Sequence, residues 1–263
     1  MSDIKGMIIH KLLETERLHD VKIPLAVESG SRGWGFASPD SDYDCRFVYV
    51  HRKNWYLSVQ KRPDIIEYSA DPVFDVNGWD LKKVLQHIIK SNAVMFEWLS
   101  SDEIYIKDEY VSRLLQNLAA DFFSPEAVSY HYLSTAKKKL DEILAEEEAK
   151  LKHYFYILRP IANLNYIFQH GRMPFMEYDR TLAQTETPEE ILAEINELKA
   201  LKAVSDESFR IGRSERLIAY FRREILMSSE RLSRMKSVKN RDYEQADIVF
   251  REITEKVWED ECR

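Results

Sequence analysis

The chain has 263 residues, 44% of them hydrophobic, and a formal net charge of -7. This content can bury a sizeable core and the length suits two domains, while the negative balance excludes a protein that coats nucleic acid and leaves only a local basic groove. Cys45 and Cys262 lack metal-site or redox spacing, no apolar run is long enough to cross a bilayer, and no signal sequence leads the chain; a cytoplasmic protein with reduced thiols and no membrane partner is expected.

Ile4, Met7, Ile8, Leu12 and Leu13 recur at helical spacing within residues 3 to 19 and predict an amphipathic helix. Val21 to Ser29 reads as a strand that begins at a bulge or an edge, because Pro24 has no N–H to give a sheet. Leu25, Ala26 and Val27 run into Gly30-Ser31, glycines and Pro39-Asp40 make a long turn, and Phe47 to Val50 returns as a second strand. Asp42 and Asp44 stand at the mouth of the returning strand and point one way, while Tyr43 and Cys45 point the other. Two such charges repel unless a cation or a proton sits between them. Hard oxygen ligands at this spacing suit Mg²⁺ together with substrate phosphates. Without a side chain at Gly30, backbone N–H groups and the Ser31 hydroxyl can approach phosphate oxygens.

The string Glu-Ser-Gly-Ser-Arg-Gly-Trp-Gly-Phe-Ala-Ser-Pro-Asp-Ser-Asp-Tyr-Asp-Cys-Arg-Phe, residues 28 to 47, resembles the signature of the DNA polymerase beta superfamily of nucleotidyltransferases. It is closest to one branch, the YcgL-like proteins or RNA repair pathway polymerase beta family. The resemblance implies nucleotidyl transfer from a nucleoside triphosphate by two Mg²⁺ (or Mn²⁺) ions on Asp42 and Asp44, with the acceptor poorly defined. Gly30 and Ser31 would seat the triphosphate, with Arg46 as an auxiliary cation and Arg32 as a further candidate. The bulky Arg32-Gly33-Trp34 departs from the plain Gly-Ser turn of many members.

Residues 51 to 56 read as a polar connection whose Trp55 and Tyr56 pack. Asp64 to Tyr68 and Val73 to Asp80 read as a hairpin across an Ala70-Asp71-Pro72 turn. In polymerase-beta-like enzymes a third carboxylate arrives on such a strand and can act as general base. Asp75 lies inside the apolar strand, where a carboxylate is expensive to bury unpartnered; Asp80 precedes Leu81 and suits the N-cap of the next helix. Both remain candidates, and a further resemblance, of Asp75-Val-Asn-Gly-Trp-Asp-Leu-Lys-Lys to related nucleotidyltransferases, puts Asp75 ahead as the metal ligand. In the helix from Asp80 to Lys90 the apolar stripe is core, Lys83 is either a triphosphate contact or a solvated lysine, and His87 is a surface or hydrogen-bonded histidine. Glu97 reads as structural.

From Asp108 onward the pattern is helical. A helix to Phe123 is followed by one starting at Ser124-Pro125 and running to residue 150, with Lys137–Lys139 and Glu146–Glu148 as solvated faces. Leu151 to Phe168, aromatic and apolar nearly all round, is a central helix. On it Lys152, Tyr156 and Arg159 share a face in a pattern similar to one in the YcgL-like branch. They either neutralise and flank the triphosphate or pair with acids of a neighbouring helix. Thr187-Pro188-Glu189-Glu190 reads as a capping box. Helices then cover 189 to 203, 206 to 237 and 241 to 260, with arginines that either track RNA phosphates or alternate with acids on a solvated bundle.

The expected fold is α+β: a polymerase-beta-like domain over 1–120, with a small mixed sheet flanked by helices, and an all-helical domain over 121–263. The expected function is metal-dependent nucleotidyl transfer to a hydroxyl, an RNA end being favoured over protein or small molecule. The alternative is a nucleotide- or RNA-binding module without turnover. An arginine or lysine lodged between the three carboxylates would count against catalysis.

Overall fold

The computed structural model describes residues 2–68, 74–235 and 243–259. The expected turn at 70–72, Val73 and Cys262 lie outside the described residues. The chain forms two compact units, and neither is a single stretch of sequence. Of the described residues, 2–33, 42–123 and 243–259 make the first unit, and 34–41 with 124–235 make the second. The partition therefore differs from the expected boundary at 120, because a late helix returns to the first unit and a short early segment leaves it.

In the first unit, α1 (Ser2–His19) leads into β1 (Val21–Ser29), the single turn α2 (Gly30–Gly33), β2 (Tyr43–His51), the short α3 (Lys53–Tyr56), β3 (Ile65–Tyr68) and β4 (Phe74–Asp80). Helices α4 (Leu81–Ile89) and α5 (Ala93–Leu99), β5 (Ile104–Lys107) and α6 (Glu109–Phe122) follow. The five strands make one mixed sheet in the order β3-β4-β2-β1-β5. Only β2 and β4 run parallel. In β1 the register shifts between Lys22 and Leu25, the bulge that Pro24 demands; the Pro24 carbonyl accepts from Asp108 N–H instead. Ile8 and Leu12 of α1 pack on the sheet with Val21, Ala26, Phe47 and Val76, whereas Met7 and Leu13, expected on the same apolar face, are exposed.

Helix α4 begins where Asp80 Oδ1 accepts the Lys82 N–H at 2.8 Å. His87, expected at the surface or hydrogen-bonded, packs its ring 4.6 Å from Trp79, and burial lowers its pKa. Glu97 is buried.

The second unit holds α7 (Pro125–Leu144), β6 (Glu148–Lys150), α8 (Leu151–His170), α9 (Tyr178–Leu182), α10 (Glu189–Lys202), β7 (Arg210–Gly212) and α11 (Glu215–Ser233). Ser124 caps α7 through Ala127 N–H at 3.2 Å. The unit is helical except for the antiparallel ribbon of β6 and β7. That ribbon ends α7 before residue 150 and delays α11 to Glu215, correcting the continuous helices expected there. The capping box at Thr187 does not form. Pro188 takes the N-cap position without a side-chain bond, and the Thr187 side chain is hydrogen-bonded to Tyr220.

Segment 34–41 is tied down within this second unit. Phe36 stacks on Phe155 at 4.9 Å, and the buried Lys202 donates to Ser38 Oγ at 2.9 Å and pairs with Glu207 at 3.1 Å. Glu207 also accepts from Ser41 Oγ at 2.5 Å, and its own N–H donates to Asp40 at 3.0 Å. The late arginines bond to their own unit: Arg210 to Glu146, Arg216 to Glu194 at 3.9 Å, Arg223 to Glu224 at 3.0 Å. Helix α12 (Tyr243–Lys256) belongs to the first unit, where Phe250 meets Tyr56 at 4.8 Å and Trp258 Nε1 donates to the His51 carbonyl at 3.2 Å.

Gly78 sits opposite Phe47 on the parallel rung, and a Cβ there would lie 2.2 Å from the Phe47 ring. Gly78→Ala should therefore destabilise the protein by about 1–3 kcal/mol, read as a lower urea midpoint.

Candidate active site

The parallel pairing of β2 with β4 puts Asp44 and Asp75 on the same rung. Asp42 precedes β2 and is exposed. Side chains two apart on a strand share a face, so Arg46 stands beside Asp44. Its Nη2 donates to Asp44 Oδ1 at 2.9 Å and to Asp75 Oδ2 at 2.7 Å. Its Nη1 donates to the carbonyls of Asp75 at 2.9 Å and Cys45 at 3.2 Å. One guanidinium thus bridges the two carboxylates and is itself pinned to the backbone of both strands. This is the arginine whose presence between the carboxylates the sequence reading set against catalysis.

Gly30 makes the approach of Asp44 possible. Its φ is +62°, and a Cβ at this position would lie 1.8 Å from Asp44 Oδ2. The Gly-Ser turn is thus shaped first by the neighbouring carboxylate. Gly30 opens the helical turn α2, Ser31 is buried, and Arg32 lies 3.9 Å over the Tyr43 ring while its Nε donates to the Asp42 carbonyl at 3.1 Å. Arg32 therefore braces the Asp-x-Asp segment through its backbone.

Glu28 is the residue that sequence reasoning passed over. Its side chain is buried at the end of β1, where Oε1 accepts the Asp44 N–H at 2.9 Å and Oε2 accepts the Tyr105 hydroxyl. The Ser101 hydroxyl fixes the Glu28 carbonyl at 2.9 Å. Burial pushes the Glu28 carboxyl up to about 7, opposed by the Tyr105 and Asp44 hydrogen bonds. Burial also raises Asp44, to about 6; Arg46 opposes the shift, and the charges of Asp42 and Asp75 add to it. A carboxylate closing the apolar run Leu25-Ala26-Val27 was the available signal.

Asp80 and Lys83, in the same unit, are placed elsewhere. Asp80 holds the N-cap of α4 and accepts from Tyr56 at 2.9 Å. It pairs with Tyr49, five rungs from Asp44 and Asp75, or about 16 Å along the strands. Lys83 lies at that far end, paired with Asp64 at 3.2 Å, so it is not brought to the carboxylates. Lys152, Tyr156 and Arg159 belong to the second unit. There Lys152 pairs with Glu207 at 3.3 Å, Tyr156 meets Trp34 edge-on at 5.7 Å, and the buried Arg159 lies 4.4 Å over the Trp34 ring. The acid beside Lys152 lies in a turn and not on the neighbouring helix of the ion-pair alternative; Arg159 lies against Trp34 and Met176.

Among the described residues no group of three or more His, Cys, Asp and Glu side chains is arranged to hold a metal ion. The donor chemistry nevertheless suits a hard divalent cation: Asp42, Asp44 and Asp75 offer only carboxylate oxygens, and their mutual repulsion is felt in the raised proton affinity of Asp44. A metal there would compete with the Arg46 guanidinium. No helix of the described residues is long and apolar enough to cross a membrane.

The model of a family described as RlaP: RNA repair pathway DNA polymerase beta family matches residues 4–252. The uncharacterized protein YcgL of Bacillus subtilis (strain 168) is 36% identical over 257 residues, covering 98% of this chain and 99% of the relative. Among solved structures, a nucleotidyltransferase-like protein from Exiguobacterium sibiricum 255-15 gives a TM-score of 0.32 at 10% identity, over 81% of this chain and 69% of that one.

Because Glu28 has a higher proton affinity folded than unfolded, its contribution to stability is complete below pH 4.5 and is lost as the pH rises through about 7. Glu28→Gln should remove that loss. Between those two pH values the stability of the wild type relative to the variant should fall by about 3 kcal/mol, followed by urea denaturation at each pH.

Proposed function

Because the chain belongs to the RNA repair pathway DNA polymerase beta family, we propose that it is a metal-dependent nucleotidyltransferase that moves a nucleoside monophosphate from a nucleoside triphosphate to a hydroxyl, an RNA end being the favoured acceptor. The observation that carries this reading is the shared rung that sets the Asp44 and Asp75 carboxylates side by side, next to the end of β2 that Asp42 precedes. A protein that only binds phosphate gains little from carboxylates that repel one another and their ligand.

Asp42, Asp44 and Asp75 would hold Mg²⁺ or Mn²⁺, which when bound stabilises charge on the attacking and leaving oxygens. Asp75, half exposed beside Asp44, is the base that takes the acceptor's proton. The acceptor oxygen bonds to the α-phosphorus as the bond to the β-phosphate oxygen breaks, and pyrophosphate leaves. With a cation on the carboxylates, Arg46 would be free to offer its planar fork to a phosphate oxygen. Gly30 and Ser31 border the triphosphate. Glu28 holds the backbone of Asp44 still. Lys83, Lys152, Tyr156 and Arg159, engaged with other partners, take no part in this reading.

The Arg46 bridge favours a second reading, a nucleotide- or RNA-binding module in which the guanidinium has permanently replaced the metal. Incubation with each α-labelled nucleoside triphosphate, Mg²⁺ or Mn²⁺ and RNA bearing free hydroxyl ends separates the two. The enzyme reading expects label transfer that falls at least about 100-fold in Asp44→Asn and in Asp75→Asn. Nucleotide binding without transfer to RNA, protein or small-molecule hydroxyls would establish the module.

A further inference from the structure

We propose that a trough at the carboxyl ends of β2 and β4 binds the phosphate backbone of single-stranded RNA, at a place separate from the carboxylate site. It is a surface concavity of about 540 Å³ within the first unit. One wall is the connection after α3, carrying Lys61 and Arg62; the other is the first turn of α4, carrying Lys82 and Lys83.

The charge is lopsided because Lys61, Arg62, Lys82 and Lys83 outnumber Asp64 and Asp80 in the lining. Asp80 is buried and accepts from the Lys82 N–H and the Tyr56 hydroxyl, and Asp64 is paired with Lys83. Lys61, Arg62 and Lys82 are exposed, and none of them is ion-paired among the described residues. On a chain with a net charge of -7, a cluster of cations that outnumber the acids beside them is a local feature that attracts an anion. Arg62 is also oriented. Its guanidinium lies 4.5 Å over Trp55, whose indole is stacked on His51 at 3.7 Å. The stack holds the guanidinium plane and leaves its N–H edges for phosphate.

Two walls of cations that also carry Ser58, Gln60 and Gln86 suit a strand better than a single phosphate, which calls for convergence on one point. A backbone with one charge per nucleotide needs a row of cations and tolerant neutral donors. The choice of RNA as the strand rests on the acceptor reading above; the binding itself does not.

The test is fluorescence anisotropy with the full chain and a labelled single-stranded RNA of about 20 nucleotides, without nucleoside triphosphate or added metal, from about 50 to 200 mM salt. The combined Lys61→Gln, Arg62→Gln and Lys82→Gln variant should bind at least about tenfold more weakly, and its log K against log salt slope should be shallower by about 2. Lys82→Gln alone should change that slope by about 0.7, so the outcome does not hang on one triple variant. A matched triple in the second unit, Arg213→Gln, Arg216→Gln and Arg222→Gln, should leave both quantities unchanged. Absence of RNA binding by the wild type, an unaltered slope in the trough variants, or loss confined to the second-unit variant would overturn the proposal. So would tripolyphosphate binding at the trough that RNA fails to displace. Failure of nucleotidyl transfer leaves these results standing, and absence of RNA binding leaves transfer to other hydroxyls open to its own assay.

Discussion

Two carboxylates on neighbouring parallel strands cannot both stay charged at hydrogen-bond range unless a cation joins them, and the first unit is arranged around that constraint. Parallel pairing sets Asp44 beside Asp75. Gly30 gives up its side chain so that the Asp44 carboxylate has room, and Glu28 fixes the Asp44 backbone from the next strand. Arg46 supplies the positive charge. Each of these residues answers to the same pair of acids, which is why so short a stretch of sequence carries so much of the site.

Despite the guanidinium, Asp44 keeps a raised proton affinity, because burial and the charges of Asp42 and Asp75 outweigh the arginine. A monovalent, planar cation satisfies directional hydrogen bonds, while a small divalent ion answers charge density with less demand on direction. The acid-only donor set suits the divalent ion of the proposed enzyme; the local geometry suits the guanidinium. Arg46 is therefore the residue on which enzyme and binding module differ.

The alternation of β2 put Asp42 and Asp44 on one face, the hairpin pattern after Asp64 left Asp75 and Asp80 as candidates for a third carboxylate, and the resemblance put Asp75 ahead. The same alternation put Arg46 on the face of Asp44, yet a lone arginine after an acidic pair reads equally well as a phosphate contact, and only the register with β4 assigns it to Asp75. Glu28 was hidden because a carboxylate at a strand end is usually solvated. Its burial depends on Tyr105, a contact 77 residues away in sequence. For Lys152 and Arg159 helical spacing shows that they share a face but not what that face meets. The ribbon of β6 and β7 escaped notice because three-residue strands are too short to carry a period.

The interleaving of the two units bears on how the chain acquires its shape during synthesis. Domains usually fold in the order they leave the ribosome, but here the sheet-bearing unit cannot be completed until α12 has been made. Segment 34–41, in the middle of the signature, must likewise wait for Lys202 and Glu207. The carboxylate strands therefore emerge well before the helix that completes their unit, and the nascent chain carries them unfinished until α12 is made.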